Sequence, residues 1–123
     1  MANEITVTAQ LSFADAESAD EILQVLEKQA TAATLKYTKA KQSIGFAAEE
    51  AINLGEVTAP GWALFINRDA TNFISLKVAT SGAIFAKLKP GECALLRLGS
   101  GAQVPYAVAD TAACQLEYFI VST

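Results

Sequence analysis

The sequence predicts an all-β fold, an antiparallel β-sandwich or jelly-roll-like barrel of about eight strands. Three observations support this fold class. Apolar and polar residues alternate in many short runs, the runs recur roughly every ten residues, and turn-forming residues separate them. Strands with such spacing and such turns are typical of sandwiches and barrels. With 123 residues and no internal repeat or linker, the chain is expected to form one domain over 1–123.

The first strand has the clearest signal, and the segment that follows it is ambiguous. Residues 5–13 alternate apolar with polar side chains, which predicts a half-buried strand. Ser18 and Glu21 have the spacing of a helix capping box, and apolar residues follow at helical spacing. The sequence therefore allows one short helix near 19–29, and a strand at 23–26 enforced by tertiary context is the alternative.

Two shorter elements follow in the middle of the chain. Residues 34–39 alternate apolar with polar side chains and predict a half-exposed strand, which ends before Gly45. Ile52 and Leu54 alternate with smaller or polar neighbours and favour a short strand stopped by Gly55.

The most informative stretch, 61–78, has the pattern of strand, polar turn and strand. Trp62, Leu64 and Ile66 alternate with other apolar residues, so this strand is expected to be buried on both faces. Residues 67–72 are rich in Asn and Asp, which favour turns because their side chains bond their own backbone and tolerate left-handed φ. We therefore expect a β-hairpin here.

The remaining sequence predicts four further strands. The turn Lys89-Pro90-Gly91-Glu92 fits type II geometry, in which the glycine takes a positive φ. In the last strand Leu116, Tyr118 and Ile120 face one way. The four strands are expected at 84–88, 93–98, 106–108 and 115–121.

Composition and charge limit the classes of partner. The chain is 52% hydrophobic and 18% charged, against a charged share of about 25% in typical domains. This indicates apolar surface covered by a partner, with a compact Ala-rich monomer as the alternative. The net charge is −4, and the densest basic cluster, Lys36, Lys39 and Lys41, is interpreted as a solvated strand face. We therefore expect no nucleic-acid partner.

No targeting or membrane segment is evident. Residues 1–4 carry no positive region followed by an apolar stretch, so a signal peptide is not expected. No run approaches the roughly 18 apolar residues of a membrane span, so no membrane partner is expected. The product is therefore expected to be cytoplasmic when made.

Candidate catalytic groups are weak, and we expect neither an enzyme nor a cofactor. The chain has no His, which excludes triads built on that residue. The carboxylate pairs, Glu49 with Glu50 and Asp15 with Glu17, are interpreted as solvated loop residues. The sequence 99–101, Gly-Ser-Gly, lacks the helix and the Lys that a phosphate-binding loop needs.

Candidate metal ligands are equally weak. Asn67, Asp69 and Asn72 could supply oxygen ligands for calcium, but an Asx-capped hairpin is the preferred interpretation. Cys93 and Cys114 are too few for a zinc site and are interpreted as buried free thiols, with a disulfide as the alternative.

An aromatic set could form a sugar-binding platform. Trp62, Tyr106 and Tyr118 would stack on sugar rings if all three were exposed. Because they lie in apolar strand segments, core positions are the preferred interpretation.

Several motifs over roughly residues 40–121 belong together. They are Gln42-Ser43-Ile44-Gly45, Glu49-Glu50-Ala51-Ile52-Asn53-Leu54-Gly55-Glu56-Val57, Pro60-Gly61-Trp62-Ala63-Leu64-Phe65, Asn67-Arg68-Asp69-Ala70-Thr71-Asn72-Phe73, Leu88-Lys89-Pro90-Gly91-Glu92 and Leu116-Glu117-Tyr118. With these motifs the chain resembles small structural proteins of tailed bacteriophages. The resemblance implies a virion component with no catalytic or metal residues, and it implies that 49–57 belongs to a β element.

The resemblance implies protein partners within a virion. We expect a capsid decoration or cement protein that binds and stabilises the lattice of the major capsid protein through symmetric contacts, and we favour a homotrimer. The alternatives are a tail, neck or fibre component with the same fold, and a carbohydrate-binding module.

Overall fold

The structure is a computed structural model that describes residues 3–14, 21–32, 36–98 and 104–122. These residues form ten β-strands and contain no helix, so the predicted all-β class is confirmed. The chain divides into two compact units, Met1–Thr34 and Leu35–Thr123. The expectation of one domain over 1–123 stays a prediction.

The first unit is a two-stranded antiparallel sheet, here called the N-terminal hairpin. Its strands are β1 (Asn3–Ala14) and β2 (Glu21–Ala32), paired without interruption over twelve residues. The strand expected at 5–13 is confirmed. The helix allowed near 19–29 is wrong from residue 21 onward, where the alternative strand is present, and residues 19 and 20 lie outside the described residues. Isolated helices shorter than about 12 residues are marginal in water, so pairing with β1 prevails over the local capping signal.

The second unit contains eight strands in two antiparallel sheets of four. The first sheet has the order β3-β10-β5-β8 and the second has the order β4-β9-β6-β7. The strands are β3 (Tyr37–Ile44), β4 (Glu50–Ala51), β5 (Pro60–Asn67), β6 (Ile74–Lys77), β7 (Ile84–Leu88), β8 (Cys93–Arg97), β9 (Tyr106–Ala109) and β10 (Cys114–Ser122). The predicted sandwich is confirmed, as two separate sheets and not as a closed barrel.

Strand pairing in the second unit is nested. β3 pairs with β10, β4 with β9, β5 with β8, and β6 with β7. The first four strands thus pair with the last four in reverse order, as in one long hairpin folded back on itself. This is the strand order of a jelly roll, and it places most consecutive strands in opposite sheets.

The hairpin expected over 61–78 is wrong. β5 lies in the first sheet with β10 on one edge and β8 on the other, while β6 lies in the second sheet. Because both edges of β5 are occupied, residues 68–73 carry the chain across to the other sheet. The type II turn is confirmed, because Gly91 has a φ of 81° and the N–H of Glu92 donates to the carbonyl of Lys89 at 3.0 Å. That turn also connects strands of different sheets, β7 and β8.

The core of the second unit is formed by the inward side chains of both sheets. Phe65, Leu76, Leu116 and Ile120 have no solvent-exposed surface. Full burial of each such side chain stabilises the fold by about 1.5–3 kcal/mol. Tyr118 also faces the core, as its alternation with exposed neighbours predicts.

Candidate interaction surface

The outer face of the first sheet carries an apolar row. Lys39 of β3 pairs with Phe119 of β10, Phe119 pairs with Leu64 of β5, and Leu64 pairs with Leu95 of β8. Directly opposed residues in paired strands share one face, and the inward neighbours of these residues are in the core. Three apolar side chains therefore cross the sheet side by side, with a lysine at one end.

Adjacent rows extend this surface. Lys41, Glu117 and Ile66 are opposed in the next row along the strands. On the other side, the ring of Tyr37 lies 6.0 Å from the ring of Phe119, in a tilted arrangement favourable for aromatic pairs. The expectation that β5 is buried on both faces is wrong for this outer face, where its apolar side chains are only half-buried.

A shallow groove of about 380 Å³ lies among these rows, and we call it the outer groove. Its walls are mainly apolar and carry one cation and one anion. The lining residues are Lys39, Leu64, Ile66, Glu117, Tyr118 and Phe119. Such a groove fits apolar side chains of a partner that also carries charge.

The anion of the outer groove is fixed in position. Arg68 Nε donates to Glu117 Oε2 at 2.5 Å. This hydrogen bond, with smaller contributions from the charges of Arg68, Lys41 and Lys39, lowers the pKa of the Glu117 carboxyl below its ordinary value. The pair is partly exposed, so we assign it little stability and regard it as a local charge pattern.

The only tryptophan of the chain lies beside the groove on the same sheet. Trp62 of β5 is opposed to Arg97 of β8 and is half-buried. Its indole Nε1 is buried and has no hydrogen-bond partner among the described residues. Buried indole N–H groups usually find a partner, so this atom is an unsatisfied donor on a half-covered surface.

The N-terminal hairpin is itself amphipathic. One face is apolar over its described side chains and the other is mostly polar. The first face carries Ile5, Val7, Ala9, Leu11 and Leu26, and the second carries Thr6, Thr8, Gln10, Val25 and Glu27. Leu11 is 76% exposed and Leu26 is 65% exposed, so part of the apolar face is open to solvent.

A second apolar surface lies at the β6–β7 end of the other sheet, and we call it the edge patch. It comprises Val78, Ile84 and Phe85, all of which are exposed. Within the described residues, β7 is the outermost strand of its sheet and pairs with β6 alone. An exposed edge strand with apolar side chains is a favourable place for a protein partner.

The polar cluster considered for calcium instead holds the chain reversal after β5. Asn67 is fully buried, and its Nδ2 donates to the carbonyls of Asn72 and Leu88, each at 2.9 Å. Its Oδ1 accepts from the N–H of Asp69 at 2.9 Å. Asp69 Oδ2 accepts from the N–H groups of Thr71 and Asn72, and these bonds lower the pKa of its carboxyl. The Asx bonds of the turn are present, but the expected hairpin around them is wrong, because β5 and β6 lie in different sheets.

The carboxylate pair of 49–50 does not converge on one site. Glu49 forms an ion pair with Lys77, and this bond lowers the pKa of the Glu49 carboxyl. The Glu50 side chain accepts from the N–H of Gly45. Each carboxylate therefore has its own structural partner. The other candidates for catalysis, Asp15, Glu17 and 99–101, lie outside the described residues.

The three aromatic residues considered for sugar binding lie in three different environments. Trp62 is on the outer face of the first sheet. Tyr106 is half-buried in the second sheet, where its neighbour Ala107 faces the core. Tyr118 is in the core, and its hydroxyl donates to the carbonyl of Asn53 at 2.8 Å. These side chains do not form a common platform.

The two cysteines differ in environment, and both are free thiols. Cys114 is buried as expected, and burial is the main cause that raises its pKa, followed by the charges of Asp69 and Asp110. The expectation of burial is wrong for Cys93, which is exposed opposite Ile66 on the outer face. β8 is the outermost strand of its sheet, which leaves its outward side chains open.

Sequence reasoning missed the outer groove for an identifiable reason. Apolar residues on both faces of β5 predicted a strand buried on both sides, whereas one face is an open surface. The available signal was the combination of Leu64, Ile66 and Phe119 with the low charge content of the chain.

No family model, curated protein or solved structure matches this chain. Among the described residues, no group of three or more His, Cys, Asp or Glu side chains could hold a metal ion. In the same part of the chain, no helix is long and apolar enough to cross a membrane.

Proposed function

We propose that this protein is a structural component of the virion of a tailed bacteriophage, made in the host cytoplasm. More specifically, we propose a capsid decoration or cement protein that binds and stabilises the lattice of the major capsid protein. The supporting observation is that one small sandwich exposes apolar side chains at two separate places, the outer groove and the edge patch. A component of a shell contacts several neighbours and needs more than one such surface.

The chemistry of the polar groups supports a structural role. The carboxylates and amides considered for catalysis or metal binding within the described residues are used to hold turns and strand ends. The strand order is also that of the jelly roll, an architecture found in viral capsid proteins and in lectins. The resemblance of residues 40–121 to phage structural proteins favours a role in the capsid over a role as a lectin.

A decoration protein does not require a tight single contact. On a lattice, many weak contacts act together because each bound copy raises the effective concentration of the next contact. We assign the contact with the capsid lattice to the edge patch, because the outer edge of β7 is unpaired in the part of the chain that the structure describes and lies beside exposed apolar side chains. Copies of this chain would then contact each other through another surface.

The copy number in purified particles tests this proposal. Quantitative mass spectrometry would compare this protein with the major capsid protein in the same sample. Hundreds of copies per particle are expected for a decoration protein. A few copies would instead indicate the tail, neck or fibre, and absence from the particle would overturn the virion assignment.

A binding assay with a matched pair of variants tests the edge patch. Phe85 and Phe46 are 41% and 56% exposed, and Phe46 lies outside both the edge patch and the outer groove. We expect Phe85→Ser to weaken binding to particles that lack this protein by about tenfold or more, as expected for an interface anchor. Phe46→Ser is the control for loss of an exposed aromatic side chain elsewhere on the surface. Equal binding of Phe85→Ser and the wild type would contradict the assignment of this surface.

A further inference from the structure

We infer that this protein self-associates by inserting the N-terminal hairpin of one copy into the outer groove of a second copy. The inserted part is the open apolar end of the hairpin, which carries Ala9, Leu11 and Leu26. The receiving surface is the apolar row on the outer face of the first sheet. This inference goes beyond the proposed function and does not depend on it.

The N-terminal hairpin has an apolar face that requires a cover. A two-stranded hairpin is at best marginally stable alone in water, because one face of two strands buries little apolar surface. Leu11 and Leu26 lie on the same face and are mostly exposed. Burial of these side chains against another apolar surface would remove them from water and stabilise the hairpin.

The outer groove has the size and lining to receive such side chains. It encloses about 380 Å³ and is lined by Leu64, Ile66 and Phe119, with Lys39 at its edge. Among the described residues, β3 pairs with β10 alone and is an edge strand of that sheet. Addition of a strand to an exposed sheet edge is a common mode of peptide recognition.

Charge identifies a second copy of this chain as the occupant. Residues 1–34 carry six acidic side chains and one lysine, a net charge of −5, whereas residues 35–123 carry eight basic and seven acidic side chains, a net charge of +1. The exposed side chains of Lys36, Lys39 and Lys41 lie on or next to β3, beside the groove. The acidic hairpin is therefore attracted to the groove region.

The same charges argue against pairing between two hairpins. Two units of net charge −5 repel one another, so contact of one hairpin with another is disfavoured. Contact of a hairpin with a sheet uses two different surfaces of the same chain. When the rotation between copies permits closure, such contacts form a reciprocal dimer or a ring, and the trimer favoured above is one such ring.

Sedimentation of the purified full-length protein at low and high salt tests the inference. We expect an oligomer at low salt that dissociates as salt rises, because salt screens charges on exposed surfaces. The double variant Leu11→Ser/Leu26→Ser is expected to weaken self-association by about tenfold or more, the loss typical of interface anchors. Val25→Ser is the matched control, since Val25 is exposed on the opposite face of the hairpin and its loss should leave the oligomer intact.

A mixing experiment identifies the two surfaces in contact. Phe119→Ser removes an anchor of the groove and leaves the hairpin intact, whereas Leu11→Ser/Leu26→Ser does the reverse. Each variant alone should be monomeric, and a mixture should form a complex that contains both. Lys39→Glu/Lys41→Glu provides a second groove variant on exposed positions, so the test does not rest on the folding of Phe119→Ser.

Three results would overturn the inference: a wild type that is monomeric at every concentration, an oligomer that survives Leu11→Ser/Leu26→Ser, or variants that fail to complement each other. Because the assay uses purified protein without particles, its outcome is separate from the copy-number test. A protein absent from virions could still exchange its hairpin, and a decoration protein could be monomeric in solution.

Discussion

The buried amide of Asn67 shows how one residue determines the path of the chain. Its side chain makes three hydrogen bonds to the backbone, to Asp69, Asn72 and Leu88, and it has no exposed surface. These bonds join the end of β5 to the crossing segment and to the end of β7. A buried polar group is tolerated only when it is paired, and this amide satisfies backbone groups that water cannot reach.

We predict that Asn67→Ala lowers the free energy of unfolding by about 3 kcal/mol. The substitution leaves buried carbonyl and N–H groups without partners, and each such group costs about 1–3 kcal/mol before relaxation. Denaturant unfolding measures the loss. The control is Asn53→Ala, because Asn53 is exposed and its side chain accepts one hydrogen bond from Gly55. Equal losses in the two variants would contradict the role given to Asn67.

Asp69 makes the stability of the fold depend on pH in the acidic range. Its pKa is lowered below the ordinary value of 3.8, first by the N–H of Asn72 and next by that of Thr71. A carboxyl whose pKa is lower in the folded than in the unfolded protein stabilises the fold at pH values above its pKa in the unfolded protein. This stabilisation is lost as the pH falls through the pKa of the folded protein. Glu49 and Glu117 have lowered pKa values as well and act in the same direction.

We therefore predict that the melting temperature falls as the pH drops below about 4, the range in which carboxylates with lowered pKa values are protonated. Asp69→Asn should melt at a lower temperature near neutral pH and should show a smaller decrease in acid. Thermal unfolding followed by circular dichroism over this range measures both effects. Asp110→Asn, at an exposed position, is the control, and an equal acid response in both variants would show that the Asp69 turn does not contribute.

At the scale of elements, two turns require a left-handed glycine for different reasons. Gly91 has a φ of 81° at a turn with open space around the Cα, so an added Cβ would meet no atom within 4 Å. Gly55 has a φ of 57°, and an added Cβ would lie 2.7 Å from Thr38 Oγ1. The turn at Gly91 requires only a residue that can adopt a positive φ. The turn at Gly55 requires this as well and leaves no room for a side chain.

The two glycines form a matched pair for measurement. Gly91→Ala is expected to cost about 1–2 kcal/mol, the penalty of the left-handed region for an L-residue. Gly55→Ala should cost more, because the Thr38 side chain must also move. The double variant Gly55→Ala/Thr38→Ser keeps the contact with the hydroxyl oxygen of residue 38, so the additional loss of stability relative to Gly91→Ala should remain. The double variant Gly55→Ala/Thr38→Ala removes that contact and should reduce the additional loss. Equal costs for the two single alanine variants would contradict the contact with Thr38.

The turns were predictable from sequence, but the strand partners were not. Pro90-Gly91 and the Asn67–Asn72 segment both contain the turn chemistry that the structure uses. Turn residues determine where a strand ends and do not determine whether the next strand pairs with it. Here most turns cross between sheets, and partners such as β3 and β10 are far apart in sequence. For β2, the apolar spacing fitted both a helix and a strand, and only pairing with β1 decided between them.

At the scale of the whole molecule, the composition gives the amounts of apolar and charged residues but does not predict where they lie on the surface. The low charge content predicts apolar surface covered by a partner, which stays a prediction. The structure shows exposed apolar side chains at the outer groove, at the edge patch and on the N-terminal hairpin. The opposite signs of net charge on the two units became apparent only when the unit boundary was known. The inferred self-association therefore depends on how the charged residues are divided between 1–34 and 35–123, and not on the net charge of the whole chain.

The distribution of the core predicts how the two units contribute to stability. Among the residues whose burial the structure describes, every member of the main hydrophobic cluster belongs to the second unit, from Ile44 to Ile120. We therefore predict that a variant without residues 1–34 still unfolds cooperatively, with a free energy of unfolding within about 1 kcal/mol of that of a monomeric full-length variant. This corresponds to a shift of the melting temperature of about 4–8 °C or less. Leu11→Ser/Leu26→Ser is the proper reference, because self-association raises the apparent stability of the wild type.

The same truncated protein separates folding from assembly. It retains the outer groove and lacks the hairpin, so it should be monomeric and should still accept the hairpin of a Phe119→Ser chain. Calorimetry measures its cooperativity, and sedimentation of the mixture measures the complex. A broad unfolding transition would mean that the hairpin completes the fold of the sandwich. A truncated protein that folds cooperatively but self-associates like the wild type would mean that the copies meet through a surface other than the hairpin.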